Sequence, residues 1–459
     1  MWGPTSVRVA AATAALLVGG ASIGLAAEPG FLTAEQRAAD FAEFCGFVGR
    51  SYAYLDLKAT DWPRVCAHNA SLAAAATLRA DYVAVLEKAL AELYDAHAHL
   101  GTNTPRSHRL VPSQTDLFAR WQGGRAVIEA VRAGSGAERA GLRPGMEVLT
   151  LDGEPIAAVV QAIEPKFLLH DDASARHWAL QVALAGRHDR AVTRLLARVD
   201  GGLLSFEFAP HQPPPGPPLS SRAIGGVGYV RIHNALGQQT LVQAFDQALV
   251  GLQDTRALVI DLRDTPSGGN STVARGIMGR LVTRMLPYQR HERVSEFRET
   301  GIRRVWDEFV APRGAPYMRP VVVLVGRWTG SMGEGLAIGL HAARGATVLG
   351  QPMAQLLGAM GQTVLPHSSI AVRVPVEKLF HVDGTPREAA LPCAPDVAVQ
   401  DGVAQDAELN AAVALATRLD EAQAVHLLPP GCLAPRSAQT FEPVRAAAMP
   451  APAAARQGR

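Results

Sequence analysis

Hydrophobic positions change period along the chain, and the changes divide it. From residue 31 to about 95 the period is helical. Thr33 and Gln36 form a capping-box pair ahead of a run in which Phe41, Phe44, Cys45 and Val48 share one face. A second helix is predicted over 78–94 with Tyr82, Leu86, Leu90 and Leu93 inward, and Asp95-Ala-His-Ala-His-Leu100 follows it. From about 107 to 210 short β-type runs, 126–131 and 147–151, alternate with turns. His211-Gln-Pro-Pro-Pro-Gly-Pro-Pro218 then reads as a stiff linker. Beyond it strands and helices alternate: a strand at 227–232, a helix over 241–252, and continuous apolar runs at 257–262 and 320–325 of the kind buried on both faces of a sheet. The expected division is an N-terminal helical domain at 28–106, a β domain at 107–210, a linker at 211–221 and a β/α domain at 222–434. An Ala/Pro-rich tail, 435–459, is expected to be disordered.

Composition and local segments add four constraints. The chain has 459 residues, 48% hydrophobic and 19% charged, enough for several globular domains. Its net charge of +2, without a basic run, gives no reason to expect nucleic acid as a partner. Residues 1–27 carry Arg8, a short apolar stretch and then Ala26-Ala27, the pattern of a signal peptide. The stretch is short for a bilayer span of ~20 residues. An exported, periplasmic or extracellular protein is therefore expected, with an uncleaved N-terminal anchor as the alternative. Cys45, Cys66, Cys393 and Cys432 suit disulfides in that setting. Spacing suggests Cys45 with Cys66 and Cys393 with Cys432, but four cysteines allow three pairings. No CxxC pair is present, so zinc is not expected, and His97-Ala-His99 shows no third ligand, so no metal is expected there.

Two segments carry candidate chemistry. Gly326-Arg-Trp-Thr-Gly-Ser331-Met-Gly-Glu-Gly335 follows an apolar run, with helical pattern resuming at Leu336. Such a strand-to-helix turn presents Ser331 where the helix dipole and free amides favour a developing oxyanion. Ile260-Asp-Leu-Arg-Asp-Thr-Pro-Ser-Gly-Gly-Asn270 is a second strand breaking into a Pro/Gly loop; it lacks the Lys-Ser/Thr of a phosphate loop. A plain helix cap is the bland account of Ser331.

Taken in order, these segments resemble the C-terminal-processing (tail-specific) serine peptidases and their tricorn-like relatives. The corresponding motifs here are Asp261-Leu-Arg-Asp-Thr-Pro-Ser-Gly-Gly269 and Thr329-Gly-Ser331-Met-Gly-Glu334. The segment Gly134-Ser-Gly-Ala-Glu-Arg-Ala-Gly-Leu-Arg-Pro-Gly-Met-Glu-Val148, followed by Asp152-Gly-Glu-Pro-Ile156, resembles a PDZ domain, which binds peptide termini by strand addition. The resemblance implies an α/β fold: a ClpP/crotonase-like β/α catalytic core with an N-terminal helical domain and an inserted PDZ-like β domain. It implies peptide-bond hydrolysis with Ser331 as nucleophile, on protein or peptide substrates, without a cofactor; self-association is left open.

The stretch where one branch of the family carries a lysine base reads Gly350-Gln-Pro-Met-Ala-Gln-Leu356 and has none. The tricorn-like branch uses a histidine, matched by Asp95-Ala-His97, and an acidic residue, matched by Glu388 in Pro386-Arg-Glu388 ahead of Ala394-Pro-Asp396. The resemblance thus implies His97 as base and Glu388 as its orienting carboxylate. His99, two residues on and expected to share a strand face with His97, is the alternative base. The oxyanion hole is expected from the amides of Met332 and Gly268, with Gly269 the alternative. Glu334 reads as a structural partner of the nucleophile turn, and Arg263 as an ion-pair residue holding its loop. Ala96 and Thr265 stand where the family has Gly and Asn. A non-catalytic peptide- or hydrophobic-ligand-binding protein on the same scaffold is therefore the second expectation, and acyl-CoA chemistry a remote third.

Overall fold

A computed structural model describes residues 31–212, 216–394, 406–420 and 432–433. The expected leader and Ala/Pro tail, part of the proline linker, and Pro395-Asp396 lie outside the described residues.

Helices α1 (Ala34–Ser51), α2 (Trp62–Ala75) and α3 (Arg79–Ala91) open the chain. The capping box forms as expected: the Gln36 N–H donates to Thr33 Oγ1 at 3.2 Å, and the Thr33 N–H to Gln36 Oε1 at 2.9 Å. Phe41, Phe44, Val48, Tyr82, Leu86, Leu90 and Leu93 are buried. The Cys45–Cys66 bridge ties α1 to α2. Strand β1 (His99–Leu100) then leaves the helices and pairs antiparallel with β16 (Ala371–Phe380), His99 opposite Arg373. Val372 and Val374 of β16 pack into the same apolar cluster as the helices. This sheet pairing carries the early histidine segment into the distant half of the chain.

The region expected to form the β domain runs β2 (Leu117–Gln122), β3 (Arg125–Val131), α4 (Gly136–Arg139), β4 (Glu147–Leu151), β5 (Glu154–Pro155), α5 (Ile156–Ile163), α6 (Ala173–Ala185), β6 (Thr193–Val199) and β7 (Gly202–Phe208) around a separate apolar cluster. Its main sheet path is β2-β3-β4-β6-β7, so β2 is an edge strand with α6 beside it.

The last part is built on a sheet ordered β14-β13-β10-β9-β8. Strands β9 (Val227–Ile232), β10 (Ala257–Asp261), β13 (Val321–Val325) and β14 (Thr347–Gly350) are parallel, and β8 (Leu219–Ile224) is antiparallel to β9. Every residue of β10 and β13 is buried, which explains their unbroken apolar pattern. Helices α7 (Thr240–Gly251), α8 (Ser271–Met278) and α10 (Met332–Arg344) share one core with the sheet. Helix α11 (Ala407–Asp420) packs against β9, β10 and β13 in a second core.

A second sheet, β1-β16-β11-β12 with β15 (Ala359–Val364) also on β16, uses β11 (Leu286–Arg293) and β12 (Arg304–Val310), joined by α9 (Val294–Thr300). The Cys393–Cys432 bridge completes the described disulfides. No described helix is long and apolar enough to cross a membrane.

Candidate active site

Ser331 lies between β13 and α10, at φ 52° and ψ −113°. Positive φ is uncommon for a residue with a Cβ, and such strain persists only where surroundings enforce it. Three groups enforce it here. The Glu334 carboxylate accepts the Ser331 N–H at 3.1 Å and the Leu356 N–H at 2.8 Å. The Arg387 guanidinium donates to the Ser331 carbonyl and sits 3.8 Å from Glu334. Gly268 presses its backbone on the serine: a Cβ there would lie 2.5 Å from Ser331 Cβ and 2.9 Å from its Oγ. Helix α10 begins at Met332, four residues before the expected resumption, so Ser331 is its N-cap residue. Glu334 is a structural partner, as expected, and burial pushes its carboxyl up despite Arg387.

The loop after β10 is stitched to the Ser331 turn. Thr265 donates its N–H to the Trp328 carbonyl at 3.0 Å, and its carbonyl accepts from Gly330 at 3.2 Å. Thr265 Oγ1 donates to the Leu262 carbonyl at 2.9 Å, so a threonine serves inside this loop where asparagine is usual. Arg263 is the ion-pair residue expected, meeting Asp261, Asp406 and Glu408. The expectation for Gly268 requires correction. Its N–H donates to the Thr265 carbonyl at 3.1 Å and is not free to bind a ligand. Among the described residues, the amides of Gly269 and Met332 have no such acceptor.

His97 stands in a turn, not on β1 as expected. The Ala98 N–H closes on the Asp95 carbonyl at 3.2 Å, and the His97 N–H donates to Asp95 Oδ1 at 2.8 Å. Tyr52 holds the other Asp95 oxygen at 2.7 Å. The turn removes the strand alternation that would have aligned His97 with His99. His99 donates its Nδ1–H to the His97 carbonyl at 2.9 Å, and lines a cavity of about 840 Å³ together with Asp95 and Arg373. The His97 ring is buried, with Nδ1 2.8 Å from the Leu357 carbonyl. A carbonyl only accepts, so Nδ1 carries the hydrogen and Nε2 keeps its lone pair. Burial lowers the His97 pKa, opposed by the Leu357 hydrogen bond and by Asp95 and reinforced by Arg387. Among the described residues no hydrogen bond joins the ring to Ser331 Oγ. Consecutive residues nevertheless tie the two: Leu356 binds Glu334, which binds Ser331, and Leu357 binds His97.

The acceptor at His97 Nδ1 is therefore Leu357, not Glu388. Glu388 lies on the short turn Arg387–Ala389, half-buried, with its charge felt by Tyr54. The carboxylate that acts on His97 is Asp95. Sequence reasoning also missed Arg387 and Leu357. Arg387 is only one position from a residue that was singled out; a backbone carbonyl leaves no residue signal at all. Among the described residues no group of His, Cys, Asp and Glu is arranged to hold a metal ion.

A strained serine thus stands at a helix mouth on a parallel β/α core, with a buried imidazole tied to the same loops. Residues 226–399 match the model of peptidase family S41, and that match supports a serine-type peptidase. Mature CPAF complexed with lactacystin is similar in fold: TM-score 0.53, 14% identity, covering 85% of this chain and 98% of that one. The structure titled photosystem II D1 C-terminal processing protease is 18% identical at TM-score 0.49, covering 78% and 91%. No curated protein sequence matches the chain.

Proposed function

We propose that the chain is an exported endopeptidase that cleaves protein substrates through an ester on Ser331. Ser331 Oγ attacks the scissile carbonyl carbon while His97 Nε2 takes its proton. The amides of Met332 and Gly269 bind the oxyanion, each contributing about 3 kcal/mol to the transition state. His97 returns the proton to the leaving amine; water, activated by the same nitrogen, then releases the acid. The Leu357 carbonyl fixes the tautomer, and Asp95 stabilises the imidazolium through space. Glu388 is an outer carboxylate in this scheme. Gly268 contributes the room its missing side chain leaves at Ser331. The single observation that carries the proposal is the enforced positive φ at Ser331, held by the loop that also holds the base. Two disulfides agree with export. The Ser331→Ala variant should lose cleavage of an unfolded protein while keeping its melting temperature; retained cleavage would exclude Ser331 as nucleophile.

A further inference from the structure

The inserted β domain reaches both catalytic turns. The Trp328 indole, in the nucleophile turn, donates Nε1 to the Thr115 carbonyl at 2.9 Å. Arg327 beside it pairs with Glu129 of β3 and lies over the Phe118 ring of β2 at 4.3 Å. Arg132, just past β3, donates to Asp264 in the loop after β10 at 2.9 Å, and to the Ser113 carbonyl at 3.0 Å. Arg132, Thr115, Arg327 and Trp328 are all buried. Thus both turns that shape the proposed oxyanion site are held by one domain outside the core.

The same domain lacks an open edge at β2. Strand addition needs free N–H and C=O groups on an edge strand and, for a peptide terminus, free amides to hold its carboxylate. The outward groups of Ala119 on β2 are already taken by one side chain: Gln181 of α6 donates Nε2 to the Ala119 carbonyl at 2.5 Å and accepts its N–H at 3.4 Å. A primary amide thereby occupies the ladder position that a peptide backbone would need. Gln181 is 5% exposed. On either side α6 is sealed to the strand, with Trp121 Nε1 donating to the Arg176 carbonyl at 3.3 Å and Phe118 meeting His177 at 5.6 Å. The loop ahead of β2, residues 110–116, contains no glycine. It carries the buried Asp116, whose carboxylate already accepts the amides of Ala137 and His211 at 3.1 and 2.8 Å. A negative charge there disfavours an incoming carboxylate.

We infer that the inserted domain is a fixed brace for the nucleophile and oxyanion turns, with Arg132 and Trp328 as positioning residues, and that it does not read substrate C-termini, so cleavage is independent of a free terminal carboxylate. The inference rests on the peptidase reading above for its kinetic consequence. Its structural half stands on the contacts alone.

The test uses the full chain. Two internally quenched peptides of one sequence, one ending in a carboxylate and one in an amide, should give kcat/KM values within about twofold. A preference for the carboxylate of about tenfold or more overturns the inference. Arg132→Ala should lower kcat about tenfold or more with KM little changed, and Arg132→Lys should restore part of it. Equal kcat in the Arg132→Ala enzyme overturns the brace. Hydrogen exchange reads the brace without activity: Arg132→Ala should speed exchange in both 263–269 and 326–332, and unchanged protection there overturns it. Fluorescence anisotropy of a labelled peptide on Ser331→Ala enzyme should show no dependence on a free carboxylate, and a carboxylate-dependent increase overturns the closed edge. A wild-type enzyme silent on both peptides refutes the peptidase reading instead, while exchange and anisotropy still decide this one.

Discussion

Substituting Gly268 by alanine tests how tightly the Gly268 and Ser331 turns are built on each other. The added Cβ would lie 2.5 Å from Ser331 Cβ, 2.9 Å from Met332 N and 2.9 Å from Ser331 Oγ. Those neighbours are the proposed nucleophile and a proposed oxyanion donor, not the loose end of a surface side chain. Gly268 also has φ 63°, which costs a residue with a Cβ about 1–2 kcal/mol. Overpacking adds about 1–3 kcal/mol unless the turn shifts. The cheapest relief is to move the Ser331–Met332 turn away, which misplaces the oxyanion amide. Loss of one such donor lowers kcat about 10²- to 10³-fold. The assay is steady-state hydrolysis of a peptide substrate together with the rate of fluorophosphonate labelling, circular dichroism confirming the fold. Both rates should fall together. A variant with kcat within about threefold of wild type would refute the packing argument, since the overlap would then have been absorbed away from the site.

Three further outcomes follow from named contacts. Glu334→Gln should reduce kcat by about tenfold or more, because the Ser331 and Leu356 N–H groups share Oε1 and the neutral amide both weakens those two bonds and removes the charge that balances Arg387; matched kinetics would show that the Glu334 charge does not hold the turn. Glu388→Gln should cost less activity than Asp95→Asn, since Asp95 is the carboxylate acting on His97; the reverse order in kcat/KM would return the orienting role to Glu388. Away from the site, His291 lies between Glu377 at 2.9 Å and Glu308 at 3.2 Å and stacks on Trp306. Burial opposes its charge, but the Glu308 and Glu377 carboxylates raise its pKa above 6.5; against burial, hydrogen bonds from His291, Tyr288 and Gln289 in turn hold Glu308 down at about 2. The imidazolium contribution is complete below pH 6.5 and is lost as pH rises through the raised value; the Glu308 contribution is lost as pH falls toward 2. His291→Gln should therefore destabilise by about 3 kcal/mol near pH 6 and by less near pH 9 in urea unfolding; an equal loss at both would contradict the charged assignment.

The parts of this fold that were legible in sequence are those where one local rule decides. The β10 and β13 runs are apolar throughout because both faces are covered, and Thr33–Gln36 caps because both partners sit within one turn. The start of α10 was misplaced because Gly333, Gly335 and Gly339 weaken the helical pattern. Tertiary closeness requires at least the first of them: a Cβ at Gly333 would lie 2.4 Å from Thr265 Oγ1. His99 was expected beside His97 on a strand, but the Asp95 carboxylate bends the chain into a turn just before the strand begins. The Nδ1 acceptor was assigned to an acidic side chain because side chains are what a sequence displays. The Leu357 carbonyl that does the work is supplied by a loop 260 positions away.

The central claim is that His97, held neutral by burial and aimed by Leu357, activates Ser331. The most direct measurement is the pH dependence of fluorophosphonate labelling, with the adduct located by mass spectrometry, in wild type and in His97→Ala. The account predicts an adduct on Ser331 whose rate rises with pH through a midpoint below 6.5, because the unprotonated ring is the active form and its pKa is lowered. It predicts a rate slower by about 10³-fold or more, without that limb, in His97→Ala. Labelling at another residue, or a Ser331 rate untouched by loss of the imidazole, would contradict it.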